Sequence, residues 1–137
     1  MIELSQINDD EYNDVELILA REGIEDELYD GIVYTLKDDE TIIGAGKALL
    51  EPSYAVLEYI VIERGSRGMD LGDAILRSLL LKLNNLGIYD IFYPHCDAYL
   101  IQKGFRDNHI EDMAKYELHL NIPSFFYGNC CGDCDGV

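Results

Sequence analysis

Three groups of residues in this chain have types and spacings that could do chemistry. Arg67-Gly68-Met69-Asp70-Leu71-Gly72 follows a strongly apolar segment, residues 54–62, and opens a stretch with helical periodicity. Glycine lets the backbone take turns that a Cβ blocks and approach a ligand closely. The start of a helix presents unpaired N–H groups and a partial positive charge, so a junction of this kind suits an anion. Arg67 can add a cation. The second group is Glu58, which interrupts the apolar segment. A carboxylate in such surroundings needs a partner or a task. Lys47 could be the partner across strands, and proton transfer is the task. The third group is Cys130-Cys131-Gly132-Asp133-Cys134. Thiolates so spaced can hold zinc or an iron–sulfur cluster, and Cys131-x-x-Cys134 has a redox spacing. A four-coordinate site would need Cys96, a His or another chain, and the alternative is a mobile tail with free thiols. His95, His109 and His119 are scattered and suggest no shared metal, so no metal ligand is assigned.

These residues need elements to place them. Residues 1–7 read as a short strand, and Asn8-Asp9-Asp10 offers a cap. Tyr12, Val15, Ile18 and Leu19 recur at helical spacing, which predicts an amphipathic helix over about 10–22 with Gly23 as its stop. The acidic stretch to Asp30 has room for a second short helix. Strands are predicted over 32–36, 41–50 and 54–62. The polar turns Lys37-Asp38-Asp39-Glu40 and Glu51-Pro52-Ser53 separate them into an antiparallel meander. Beyond the loop, Leu71, Ile75, Leu79, Leu83 and Leu86 fall on one helical face, and Gly87 sits where a stop belongs. Residues 88–93 read as a strand and 96–103 as a short helix ended by Gly104. Phe105 and about 113–120 supply two closing strands. This order predicts an α/β (α+β) architecture, a mixed sheet with helices on both faces.

A chain of 137 residues has the size of one domain, and a hydrophobic content of 48% supports a packed core. Its 27 acidic residues against 10 Lys plus Arg give a net charge of −17. Such a surface repels nucleic acid and anionic membranes and attracts cationic small molecules or a basic partner. It also keeps a protein soluble, the plainer use of such charge. No apolar run approaches the roughly 20 residues a membrane span needs. Met1-Ile2-Glu3-Leu4 lacks the basic and apolar regions of a secretory signal. The expected location is cytoplasmic, where thiols stay reduced or bind metal.

The stretch from Ile62 through Arg67-Gly68-Met69-Asp70-Leu71-Gly72 to Asp73-Ala74-Ile75-Leu76 resembles a loop of the GNAT superfamily of N-acetyltransferases. That loop has the pattern Arg/Gln-x-x-Gly-x-Gly/Ala and joins the family's fourth strand to its third helix. Ile62 lies five positions before Arg67, as in the family, and Gln102-Lys103-Gly104-Phe105 resembles its later Lys-Leu-Gly-Phe turn. The element order matches over nearly all of residues 1–120. The resemblance implies a GNAT-like acetyltransferase domain over 1–120, with a mixed, mostly antiparallel central sheet, and a Cys- and Gly-containing tail over 121–137. It implies transfer of an acetyl group from acetyl-coenzyme A, as cosubstrate, to the primary amine of a small molecule or protein. A cationic acceptor fits the charge, and a homodimer is one assembly open to the chain. The cofactor would lie between the fourth and fifth strands. Its pyrophosphate would sit on Arg67, Gly68, Met69, Asp70, Leu71 and Gly72, with Asp73 following into the helix. Backbone groups near Ile60, Val61 and Ile62 would pair with the pantetheine arm, and one N–H would face the thioester oxygen. Some relatives carry a Glu on this strand, which makes Glu58 the candidate general base.

Two positions depart from the pattern. Asp70 stands where the family has a central Gly. Either it caps the helix, or its side chain turns to solvent while its N–H serves the phosphate. Leu100 stands where many members carry a Tyr that protonates the departing thiolate. The neighbouring Tyr99 would point about 100° away on a helix, which leaves Tyr93 or water. These departures keep a second reading open, a non-catalytic binding or regulatory module on a degenerate GNAT fold. A metal or redox role centred on the tail is a third.

Overall fold

The computed structural model describes residues 1–26 and 30–128. Cys130, Cys131 and Cys134, and with them every expectation for the tail's thiols, lie outside the described residues. So do residues 27–29 of the stretch where a second short helix was expected, and Ile24, Glu25 and Asp26 carry no helix. The strands are β1 (Ile2–Gln6), β2 (Ile32–Asp38), β3 (Thr41–Leu50), β4 (Ala55–Ile62), β5 (Asp90–Tyr93), β6 (Arg106–Asp107) and β7 (Leu118–Asn121). The helices are α1 (Tyr12–Arg21), α2 (Leu71–Asn85) and α3 (Ala98–Lys103). The strands form one seven-stranded sheet in the order β1-β2-β3-β4-β5-β7-β6. Pairing is antiparallel for β1–β2, β2–β3, β5–β7 and β6–β7, and parallel for β4–β5. The expected mixed, mostly antiparallel sheet is therefore present. The last strand is shorter than expected, because residues 114–117 form a turn in which Tyr116 N–H donates to the Met113 carbonyl at 3.1 Å before β7 begins.

The chain divides into two compact units. In the first, residues 1–50 and 58–81, helices cover both faces of the sheet. On one face Val15, Ile18 and Leu19 of α1 pack with Val33, Ile42, Ala45, Tyr59 and Val61. On the other, Gly44 and Gly46 leave β3 bare so that α2 can press close. A Cβ on Gly46 would collide with Ile75, and one on Gly44 would meet Ile62 Cδ1 at 2.8 Å. The apolar stripe read from the sequence of α2 supplies Ile75 and Leu79 to this contact. In the second unit, residues 51–57 and 82–137, Phe92 stacks on Tyr116 and on His119 at centroid distances of 5.4 and 4.9 Å. Leu100, Phe105, Leu118, Leu120 and Ile122 are buried there.

Candidate active site

The apolar strand β4 delivers the chain to the loop that the sequence singled out. Residues 67–70 are all exposed, and α2 begins at Leu71. Gly68 has φ +96 and Asp70 φ +57. Two left-handed residues within three positions bend the backbone sharply before the helix. A Cβ at Gly68 would meet nothing within 4 Å, so the requirement for glycine is conformational and the space beside it is open. Asp70 is left-handed without being glycine, which explains why a glycine suits this position in the pattern. Its carbonyl accepts from Asp73 N–H at 3.3 Å, the first link of the turn into α2. This is not the extended backbone that a helix-capping side chain usually springs from.

Arg67 braces this loop. Its Nε donates to the Ile62 carbonyl at the end of β4, at 2.8 Å, and its Nη2 to Glu22 at 3.1 Å. Arg64 approaches the same Glu22 carboxylate at 3.7 Å. Asp73 is turned along the helix to Arg77 at 2.7 Å. The cation of Arg67 thus sits beside the loop, held by one backbone acceptor and one carboxylate.

The edge of β4 is the next feature. Its ladder to β5 consists of Ala55↔Ile91 and Val56↔Phe92. The backbone of Ile60, Val61 and Ile62 takes no part in that ladder, and the Ile62 carbonyl is engaged by Arg67 instead. Glu58 precedes them on the strand, with an exposed side chain. Its surroundings nevertheless exclude enough water to push its carboxyl above the usual carboxylate range. Lys47 pulls against that shift, and the carboxylates of Asp26 and Asp30 push with it.

The expected Glu58–Lys47 pair is not the one formed. Lys47, 1% exposed, gives its ammonium to Asp26 and Asp30, each at 2.6 Å. Burial alone would lower its pKa, but the two carboxylates outweigh burial and hold it above the ordinary lysine value. The same ammonium pulls Asp30 below the usual carboxylate range. Tyr59 donates its hydroxyl to the other oxygen of Asp26 at 2.9 Å, and burial pushes the phenol well up. Glu58 has no hydrogen bond or ion pair among the described residues, so the partner offered for it on sequence grounds is taken. Beside this cluster lies a cavity of about 230 Å³ lined by Leu19, Ala20 and Ile24 and by the carboxylates of Glu16, Glu25 and Asp26. Sequence reading missed Asp26, Asp30 and Tyr59. The one available signal was Lys47 itself, a charge inside an apolar strand that had to find acids somewhere.

Leu100, at the position where a phenol was sought, is 4% exposed and belongs to the core of the second unit. Asp97 caps α3 by accepting from Leu100 N–H at 3.0 Å. Tyr99 is exposed and Tyr93 packs edge-on against His95. Among the described residues no group of His, Cys, Asp and Glu is arranged to hold a metal, and no helix is long and apolar enough to cross a membrane.

Comparison with solved structures places this architecture. The chain superposes on an acetyltransferase of the GNAT family from Staphylococcus aureus with a TM-score of 0.73 and 13% identity, over 89% of this chain and 99% of that one. The ribosomal-protein-S18-alanine N-acetyltransferase of Escherichia coli gives a TM-score of 0.71 and 16% identity, over 89% and 94%. A GNAT family acetyltransferase from Elizabethkingia anophelis with acetyl-CoA bound gives 0.65 and 19%, over 88% and 97%. No protein-family model and no curated protein matches the chain. The chain has the GNAT fold.

Proposed function

We propose that the chain is an acyltransferase that moves an acetyl group from acetyl-coenzyme A to the primary amine of a small or cationic acceptor, within a domain of residues 1–120. The observation that carries this reading is the junction at residues 67–72. An exposed, sharply bent loop there leads from the end of β4 into the start of a helix of 15 residues. Backbone N–H groups of Arg67, Gly68, Met69, Asp70, Leu71 and Gly72 and the first turn at Asp73 suit a pyrophosphate. The edge at Ile60, Val61 and Ile62 suits the amide groups of a pantetheine arm.

Acetyl-coenzyme A brings the acetyl group as a thioester, whose thiolate is a fair leaving group. The chain's own part is to orient that thioester and to manage protons. One N–H of Ile60, Val61 or Ile62 donates to the carbonyl oxygen as negative charge develops on it. Glu58 accepts a proton from the acceptor's ammonium, directly or through water. The neutral nitrogen then forms the C–N bond as the C–S bond breaks, and the proton that the nitrogen must shed to become an amide passes through solvent to the departing thiolate. The raised pKa of Glu58 suits a base working closer to neutrality. Glu16 and Glu25 at the nearby cavity suit an acceptor with further positive charge.

The test is release of coenzyme A thiol from acetyl-coenzyme A with a polyamine, an aminoglycoside and a lysine peptide as acceptors. Glu58→Gln is expected to lower kcat/KM by about 10²–10⁴-fold. In the wild type kcat/KM should fall as pH drops through the raised Glu58 pKa, because the protonated carboxyl accepts nothing. A second reading, a non-catalytic module that binds coenzyme A, is favoured by one observation, the apolar Leu100 buried where a phenol would serve the leaving thiolate. Binding without thiol release for any amine would select it.

A further inference from the structure

We infer that Glu22 is an internal competitor for the cofactor's pyrophosphate, a carboxylate that holds Arg67 until the pyrophosphate replaces it. This role rests on the coenzyme A reading above and brings a residue of the α1 end into that site.

Glu22 is poorly placed for its own helix. It follows Arg21 at the end of α1, and its N–H donates to the Leu19 carbonyl at 3.0 Å. A helix C-terminus carries a partial negative charge, so a carboxylate there is unfavourable unless cations come to it. Two do, both from the loop after β4. Arg67 Nη2 lies 3.1 Å from Glu22 Oε2, and Arg64 Nε lies 3.7 Å from the same oxygen. Glu63, the nearer acid in sequence, accepts from Gly65 N–H at 2.8 Å instead.

The contacts of Arg67 are the ones the cofactor would need. Its Nε donates to the Ile62 carbonyl at 2.8 Å, while its Nη2 is on Glu22. Nε–H and one Nη2–H form an edge of the guanidinium fork, the kind of edge that meets paired phosphate oxygens. Here two protein acceptors fill that edge. One is a carbonyl at the end of the strand proposed for the pantetheine arm. The other carries the same sign of charge as the pyrophosphate and so opposes its approach.

The hold is built to yield. The Arg67 and Glu22 side chains are 48% and 25% exposed, and ion pairs so wet are weak. A pyrophosphate brings more charge than one carboxylate and more oxygens for the fork. Glu22 also has somewhere to go. A cavity of about 190 Å³ lined by Ile18, Arg21, Glu22, Glu63 and Arg64 opens beside it. Arg21, which has no ion pair among the described residues, stands at that cavity to take the displaced carboxylate.

The experiment is calorimetric titration with coenzyme A of the whole chain, of Glu22→Gln, of Arg67→Ala and of the double variant. Glu22→Gln is expected to bind at least about threefold more tightly, the scale of an exposed ion pair, with a melting temperature close to that of the wild type. In the Arg67→Ala background the same substitution should change the affinity little, because the contact it releases is already gone. A gain that persisted undiminished without Arg67 would be general repulsion by Glu22 and would overturn the role assigned here. Binding by both the wild type and Glu22→Gln, with no gain in the variant, would overturn this role alone. No binding by either would overturn the coenzyme A reading together with it.

Discussion

Two helices in this molecule follow an aspartate, and the two aspartates have opposite backbone conformations. Asp97 precedes α3 with an extended backbone, φ −147, and its carboxylate accepts from Leu100 N–H. One unpaired donor of that helix is thereby closed by the chain itself. Asp70 precedes α2 with a left-handed backbone, φ +57, two residues after Gly68 at φ +96. The residue type is the same, but the backbone is set for a sharp bend and the loop stays exposed. The difference teaches that one residue type before a helix can sit on two backbones, extended at Asp97 and left-handed at Asp70. The α3 start is closed by the Asp97 carboxylate, whereas the α2 start follows a sharp bend in an exposed loop.

The largest expected effect comes from straining that bend. Gly68→Val puts a β-branched residue at φ +96, and the strain should cost about 1–3 kcal/mol in chemical denaturation. The space around Gly68 is open, so the loss is conformational, and coenzyme A affinity should fall with it. Next is Asp97→Ala, which removes a cap and should cost about 1 kcal/mol while leaving coenzyme A affinity unchanged. The smallest effect is expected from Asp70→Gly. Relief of the left-handed backbone, partly offset by the freer unfolded chain, should stabilise by roughly 0.5 kcal/mol. Removing a negative charge from the loop should also tighten coenzyme A binding, by a margin that shrinks at high salt. If Asp70→Gly instead destabilised as much as Asp97→Ala, Asp70 would be a cap and the contrast between the two helix starts would collapse.

The pattern of elements was legible because it is local. Apolar, β-branched runs between polar turns gave β2, β3 and β4, and the stripe at Ile75, Leu79 and Leu83 gave α2 within a residue of its ends. The last strand was over-read because residues 114–117 turn back instead, with Asn108 Nδ2 donating to the carbonyls of Met113 and Tyr116. The loop at 67–72 was visible as a glycine pattern, but residue types do not print dihedral angles, so the left-handed backbone of Asp70 was not legible. The partners in the charged cluster were not legible, although Lys47 in an apolar strand signalled that some acid must meet it. Lys47 finds Asp26 and Asp30, 21 and 17 positions away, through the fold, and nothing in the local sequence ties them together. Glu58 stood out as a carboxylate in an apolar strand, and the Lys47 offered as a partner for it is bound to Asp26 and Asp30 instead.

The central claim is that residues 67–72 and the edge of β4 receive coenzyme A. Calorimetric titration of the chain with coenzyme A and with acetyl-coenzyme A tests it most directly. The account expects saturable binding of one ligand per chain, weakened in Gly68→Val, strengthened in Asp70→Gly and unaltered in Asp97→Ala. No heat from either ligand at concentrations on the order of a millimolar, where binding worth about 4 kcal/mol would register, would contradict it.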